Sequence, residues 1–237
     1  MKQSWSIILE QELLDKEMLN KILNYNFLLR TISGIILLSI VTYGIYSPFS
    51  FFALVLLLIF YGMMKEWYEI TYNNKKDIMM GFVPITIAIF SLLIVKFFKD
   101  SDHMLLWYVF AIGSFDTFAM IGGKLIGGKK LAEKISPMKT WSGLFSGVCG
   151  SMLISALLSE IFELKSFDHF RMFADGVVIP TFLICISATA GDLYESYFKR
   201  KYGIKDSGNI IPGHGGVLDR FDSIIFSAPI FLIMLII

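Results

Sequence analysis

The chain has 237 residues, 55% of them hydrophobic and 17% charged, with a formal net charge of +1 and a mean hydropathy of +0.66; an ordinary soluble domain carries roughly a quarter charged residues. One soluble core could not hide its many apolar runs, so the composition excludes a soluble domain and indicates an integral membrane protein. The two cysteines, Cys149 and Cys185, both lie inside apolar runs, which argues against a disulfide framework.

The N-terminal stretch carries Glu10, Glu12, Asp15 and Glu17 where a signal peptide needs a basic start and an apolar core, so no cleaved leader is expected. Trp5, Leu9, Leu14, Met18 and Ile22 recur at roughly helical spacing. This suits a helix over residues 1–26 lying on the membrane surface, with a frayed polar tail as the alternative.

Spanning helices are expected near residues 27–46, 49–64, 78–98, 105–122, 144–162, 177–194 and 221–237, each close to the ~20 apolar residues a bilayer requires. The runs lack period-two alternation, which favours helices over a barrel. The expected fold class is therefore all-α, a polytopic transmembrane helix bundle of about seven spans. Of the 21 Lys and Arg residues, 17 fall on the N-terminal segment and the second, fourth and sixth loops, and 4 on the opposite side. The positive-inside rule then puts the N-terminus in the cytoplasm. Two basic, glycine-rich loops, over 123–143 and 195–222, face the cytosol with it. No repeat or linker divides the chain, which reads as one membrane domain over 1–237.

The later loop is the more informative. Asp219 and Asp222 are three residues apart at the start of the last apolar run, which puts both carboxylates on one helix face. They either cap the helix and favour its dipole or hold a hard cation such as Mg²⁺ between them. Asp192 at another cytoplasmic helix end favours the metal. Gly213, Gly215 and Gly216 surround His214, a pattern that fits either a phosphate cradle or a tight turn. Lys199, Arg200 and Lys205 read as positive-inside charges, lipid-headgroup contacts or phosphate ligands; their combination with acids and glycines favours phosphate handling.

In the earlier loop Pro137 and the glycines argue for an ordered hairpin, with Lys139 and Thr140 able to contact phosphate or ribose. The Walker A spacing is absent. Asp116 sits within an apolar helix, where a charge costs at least ~2.5 kcal/mol, and marks either a functional cavity or a buried hydrogen bond between helices.

These residues resemble one family, the phosphatidate cytidylyltransferases or CDP-diacylglycerol synthases. Its C-terminal signature is similar to Ser196-x-x-Lys199-Arg200, Lys205-Asp206, Pro212-x-His214-Gly-Gly and Asp219-Arg220-x-Asp222, all matched here. Ser136-Pro-x-Lys139-Thr140 and Asp116-Thr-x-Ala119 resemble it too, so the likeness covers about the C-terminal half. Family members often carry Glu at Ser142 and Arg at Lys124, and eight or nine helices rather than seven.

The resemblance implies transfer of a cytidylyl group from CTP to phosphatidate, giving CDP-diacylglycerol and pyrophosphate for phospholipid synthesis at the cell membrane. It implies Asp192, Asp219 and Asp222 as catalytic metal ligands for Mg²⁺, with room for a second, monovalent cation. Asp116, Ser136, Lys139, Thr140, Ser196, Lys199, Arg200, Lys205, His214 and Arg220 are the expected substrate-binding residues. The expected partners are CTP and membrane phosphatidate, with no nucleic acid, and a homodimer is the expected assembly. A CTP-dependent lipid kinase is the nearest rival. CDP-alcohol phosphotransferases lack support because their Asp-Gly-x-x-Ala-Arg element is missing. A transporter, suggested by the spans and Asp116, would show internal repeats that this chain lacks.

Overall fold

The computed structural model describes residues 28, 29, 31–162, 164, 176–213 and 215–237; the expected surface helix over 1–26 and His214 lie outside the described residues. The helices are α1 (Thr31–Tyr46), α2 (Phe49–Thr71), α3 (Lys75–Val95), α4 (Ser101–Leu125), α5 (Trp141–Ile161), α6 (Val178–Lys201), α7 (Leu218–Phe221) and α8 (Ile224–Ile236). Between α4 and α5 lies a two-stranded antiparallel hairpin, β1 (Lys130–Ala132) and β2 (Ser136–Thr140), paired Lys130 to Thr140 and Ala132 to Ser136.

Among the described residues, α2 to α6 are the five helices long and apolar enough to cross a membrane, while α1 is a shorter apolar helix. Between 33% and 39% of each span's apolar window is buried inside the protein. Most of each apolar surface therefore faces outwards, which suits lipid and not water. Each expected run coincides with a helix, but the bounds differ in a systematic way. Helix α2 continues seven residues past its expected end at 64, α4 reaches Leu125 and α6 reaches Lys201. Several charged residues that look like loop in the sequence, Glu66, Lys199, Arg200 and Lys201, are held by partners on neighbouring elements, and Lys65 pairs with Glu69 within α2. The last run is broken instead: α7 and α8 are separated at Asp222 and Ser223.

Local chemistry explains the helix starts. Asn74 caps α3 by accepting from the Lys76 N–H at 3.0 Å, with Asp77 in the first turn. Thr140, the last residue of β2, caps α5 by accepting from the Gly143 N–H at 3.1 Å, so the hairpin and the helix after it share one residue. Pro84 in α3 and Pro229 in α8 sit inside helices, as membrane helices tolerate.

Aromatic residues fill the interior. Trp67 is fully buried, lies parallel to Tyr194 at 6.0 Å between ring centroids, and donates its indole N–H to the Asp77 carbonyl at 3.0 Å. Tyr108 stacks on Phe231 at 4.6 Å and shares a 2.6 Å hydrogen bond with Ser227. The Asp77 carboxylate accepts from Lys201 and from the Tyr202 hydroxyl, which ties the start of α3 to the end of α6. That end of the bundle also carries the hairpin and α7.

Candidate active site

Helix α6 brings Asp192 to the end of the bundle, and the α7–α8 junction brings Asp222 beside it. A small residue permits this meeting: a Cβ on Gly191 would fall 2.4 Å from the Asp222 carbonyl oxygen. With Asp116 of α4 and Asp219 of α7, these two acids line a cavity of about 720 Å³. Lys139, Thr140 and Arg220 line it too, with Lys124, Lys130 and Thr189. The lining also includes the apolar side chains of Phe115, Met120 and Leu144. Lys139 of β2 forms an ion pair with Asp192 of α6, which fastens the hairpin over the cavity.

The four acids are held differently. Asp219 is saturated: one oxygen accepts from Lys199 at 2.7 Å, the other from the Ser207 and Gly216 N–H groups at 2.9 Å each. Burial by itself would raise the Asp219 carboxyl, but the Lys199 hydrogen bond, the Gly216 N–H, the Lys199 charge and the Ser207 N–H outweigh it and hold it below the usual carboxylate range. Asp222 is 8% exposed and accepts from the Ser223 N–H at 2.7 Å. Its carboxyl is pushed well above the usual range, first by burial, then by the charges of Asp192, Glu195 and Asp116, with Lys139 opposing them.

This arrangement departs from the expectation that Asp219 and Asp222 share a cation. Lys199 already neutralises Asp219, whereas Asp222, Asp192 and Asp116 act on one another, with Lys139, the ion-pair partner of Asp192, as the cation opposing them. Among the described residues no three His, Cys, Asp or Glu side chains form a ready-made metal cage. Mg²⁺ does not need one, since it usually takes one or two carboxylates and completes its shell with water and substrate phosphate. The hard oxygens of Asp222 and Asp192, mutually repelling at a cavity wall, fit such an ion.

Lys199 also lies 2.6 Å from Glu195, a fully buried acid one turn earlier on α6. The expected phosphate ligands Lys199 and Arg200 thus bind protein instead. Arg200 donates to the Ile135 carbonyl at 3.2 Å and the Ile204 carbonyl at 3.1 Å, joining α6 to the hairpin turn. Ser196 donates to Asp192 at 3.2 Å, and Ser136 pairs within the hairpin; neither lines the cavity. Ser142 donates to the Gly127 carbonyl and pairs with Thr140 at 3.0 Å, closing the base of the hairpin. Lys205 lies in a second cavity, which also reaches Arg220.

One functional residue escapes the sequence reading. Glu66 of α2 is 1% exposed, and its carboxylate accepts from the Val217 N–H at 2.9 Å, the Leu218 N–H at 2.8 Å and the Ser207 hydroxyl at 3.0 Å. It sits so close to the loop that a Cβ on Gly216 would fall 2.4 Å from it. The only sequence signal is an acid at the end of an apolar run. Glu195 had a clearer one, its four-residue spacing from Lys199.

Comparison with known proteins identifies the family. Residues 76–237, which carry every cavity residue named above, match the Cytidylyltransferase family. The chain is 45% identical to a phosphatidate cytidylyltransferase of Rickettsia prowazekii (strain Madrid E) over 87% of this chain and 90% of that protein. It is 44% identical to one of Rickettsia conorii over 88% and 91%, and 35% identical to one of Staphylococcus epidermidis over 71% and 64%. The chain belongs to the cytidylyltransferase family.

Proposed function

We propose that the chain is a phosphatidate cytidylyltransferase, which transfers the cytidylyl group of CTP to phosphatidate and releases pyrophosphate. The observation that carries this reading is the cavity at the bundle end, whose lining combines carboxylates, cationic side chains and apolar side chains. A lipid phosphate and a soluble nucleotide need such a meeting point at the headgroup layer.

The nucleophile is a phosphate monoester with a second pKa near about 6. It is largely ionised at neutral pH and needs no general base. The protein's task is to bring two anions together and hold the attack in line. Lys139 and Arg220 offset phosphate charge, and Thr140 fixes the hairpin that presents Lys139. Asp222 and Asp192 would hold Mg²⁺, with Asp116 beside them; the bound ion supplies charge neutralisation on the transferring phosphate. Asp219, though it lines the cavity, acts with Lys199 by fixing the loop that leads into α7.

In the same reading the described helices belong to a seven-span bundle, with the N-terminus and the cavity on the cytoplasmic side of the cell membrane. The Lys and Arg distribution supports this orientation. The decisive experiment incubates the purified protein with phosphatidate, Mg²⁺ and CTP labelled either in cytidine or in the γ-phosphate. Cytidine label in the lipid is the expected result. Transfer of γ-phosphate alone would make the protein a lipid kinase.

A further inference from the structure

A second cavity, of about 520 Å³, lies beside the first and is lined by Lys205, Asp206, Asn209, Gly213 and Arg220 among others. Arg220 lines both cavities. The two chambers differ in kind. The first includes the apolar side chains of Phe115, Met120 and Leu144 in its lining; the second is lined mainly by polar side chains and loop backbone, with Ile211 and Pro212 as its apolar exceptions. Lys205 is exposed at the second. It makes no ion pair or hydrogen bond among the described residues, unlike Lys199 and Arg200. Gly213 and Gly215 hold positive φ of 75° and 84° there, a backbone form that lets N–H groups approach an anion.

We infer that the second cavity is the subsite for the pyrophosphate portion of the nucleotide, with Arg220 marking the point where the reacting phosphate lies between the two chambers. This rests on the proposed cytidylyl transfer and deepens it. In-line displacement puts the attacking and leaving oxygens on opposite sides of the phosphorus. A phosphatidate oxygen forms its bond to the α-phosphorus as the bond to the α–β bridging oxygen breaks, and that electron pair departs on pyrophosphate. The lipid phosphate must enter from the chamber with the more apolar lining, because its acyl chains stay in the membrane. The leaving group then lies on the other side of Arg220, where Lys205 and Arg220 outweigh the single charge of Asp206.

The test measures initial rates in both directions, together with equilibrium binding of labelled pyrophosphate in the presence of Mg²⁺, for wild type, Lys205→Gln and Lys205→Arg. Lys205→Gln should raise KM for CTP forwards and KM for pyrophosphate in reverse by about tenfold, the loss of one charge-assisted hydrogen bond. The KM values for phosphatidate and CDP-diacylglycerol should stay within about twofold and kcat should change little, as for a contact made equally in ground and transition states. Lys205→Arg should restore most of the loss. Unchanged KM values for CTP and pyrophosphate, or a shift confined to the lipid substrates, would overturn the subsite. A wild-type protein that transfers no cytidine yet binds pyrophosphate in a Lys205-dependent way would keep the subsite and sink the reaction instead.

Discussion

Gly191 and Asp222 meet main chain to main chain: an added Cβ at 191 would fall 2.4 Å from the Asp222 carbonyl oxygen. The neighbour is backbone, not a flexible side-chain end, so the helices themselves must part to admit a methyl group. Gly191→Ala should therefore lower cytidylyl transfer at least about tenfold, since a displacement of about 1 Å at a reacting site can cost more than that. Melting temperature should fall with it. Wild-type activity in a well-folded Gly191→Ala protein would show that Asp192 and Asp222 need not be this close.

Glu66 predicts a separable defect. Glu66→Gln puts an amide donor where one carboxylate oxygen now accepts, leaving a buried N–H of the loop unpaired at a cost of about 1–3 kcal/mol. Transfer activity should drop about tenfold or more, and limited proteolysis within residues 207–217 should quicken while the spans stay protected. Glu66→Asp, which keeps the charge on a shorter stem, should recover part of the activity.

Asp219 and Asp222 should respond differently to Asn. Asp222→Asn removes a carboxylate from a repelling group, so folding should hold while kcat falls on the order of 10²-fold, as for loss of one electrostatic contribution in the transition state. Asp219→Asn removes the partner of Lys199 and an acceptor of two loop N–H groups, so its melting temperature should drop. That stabilisation belongs to a carboxylate held below its ordinary pKa. It is fully present above the unfolded value of about 4 and is lost as pH falls through the folded one. The melting difference between wild type and Asp219→Asn should therefore be constant near neutrality and close only below about pH 4.

Removing divalent metal gives a fourth test. EDTA should abolish turnover reversibly, because Asp192, Asp222 and the incoming phosphates are all anionic. Full activity in excess chelator would remove Mg²⁺ from the proposal.

Orientation can be read independently. Single cysteines at Lys139 and Lys205, in a background lacking Cys149 and Cys185, should react with an impermeant thiol reagent only from the cytosolic face. Labelling from outside would separate the site from cytosolic CTP.

The places where sequence reasoning fell short share a physical cause. Hydropathy placed a helix at every apolar run, yet it ended α2 near residue 64 because Lys65, Glu66 and Glu69 resemble a loop. Glu66 belongs to the helix because a loop 150 residues later supplies its donors, Val217 and Leu218. The acids Asp116, Asp192, Asp219 and Asp222 were visible as a set, but their division of labour was not. The four-residue spacing points from Lys199 to Glu195, but nothing local shows its second partner, Asp219. A cation's partner across the fold is a tertiary fact, and local pattern cannot supply it.

Glu66 and Asp219 grip the loop chiefly by its N–H groups, at Ser207, Gly216, Val217 and Leu218. Side chains between these points, such as Asn209 and Ile210, contribute nothing to that grip. The loop can therefore change its chemical face without changing its path. A library randomised at 209 and 210 should yield many stable proteins that differ in how they handle nucleotide, which makes this segment the natural place to alter how the triphosphate is held.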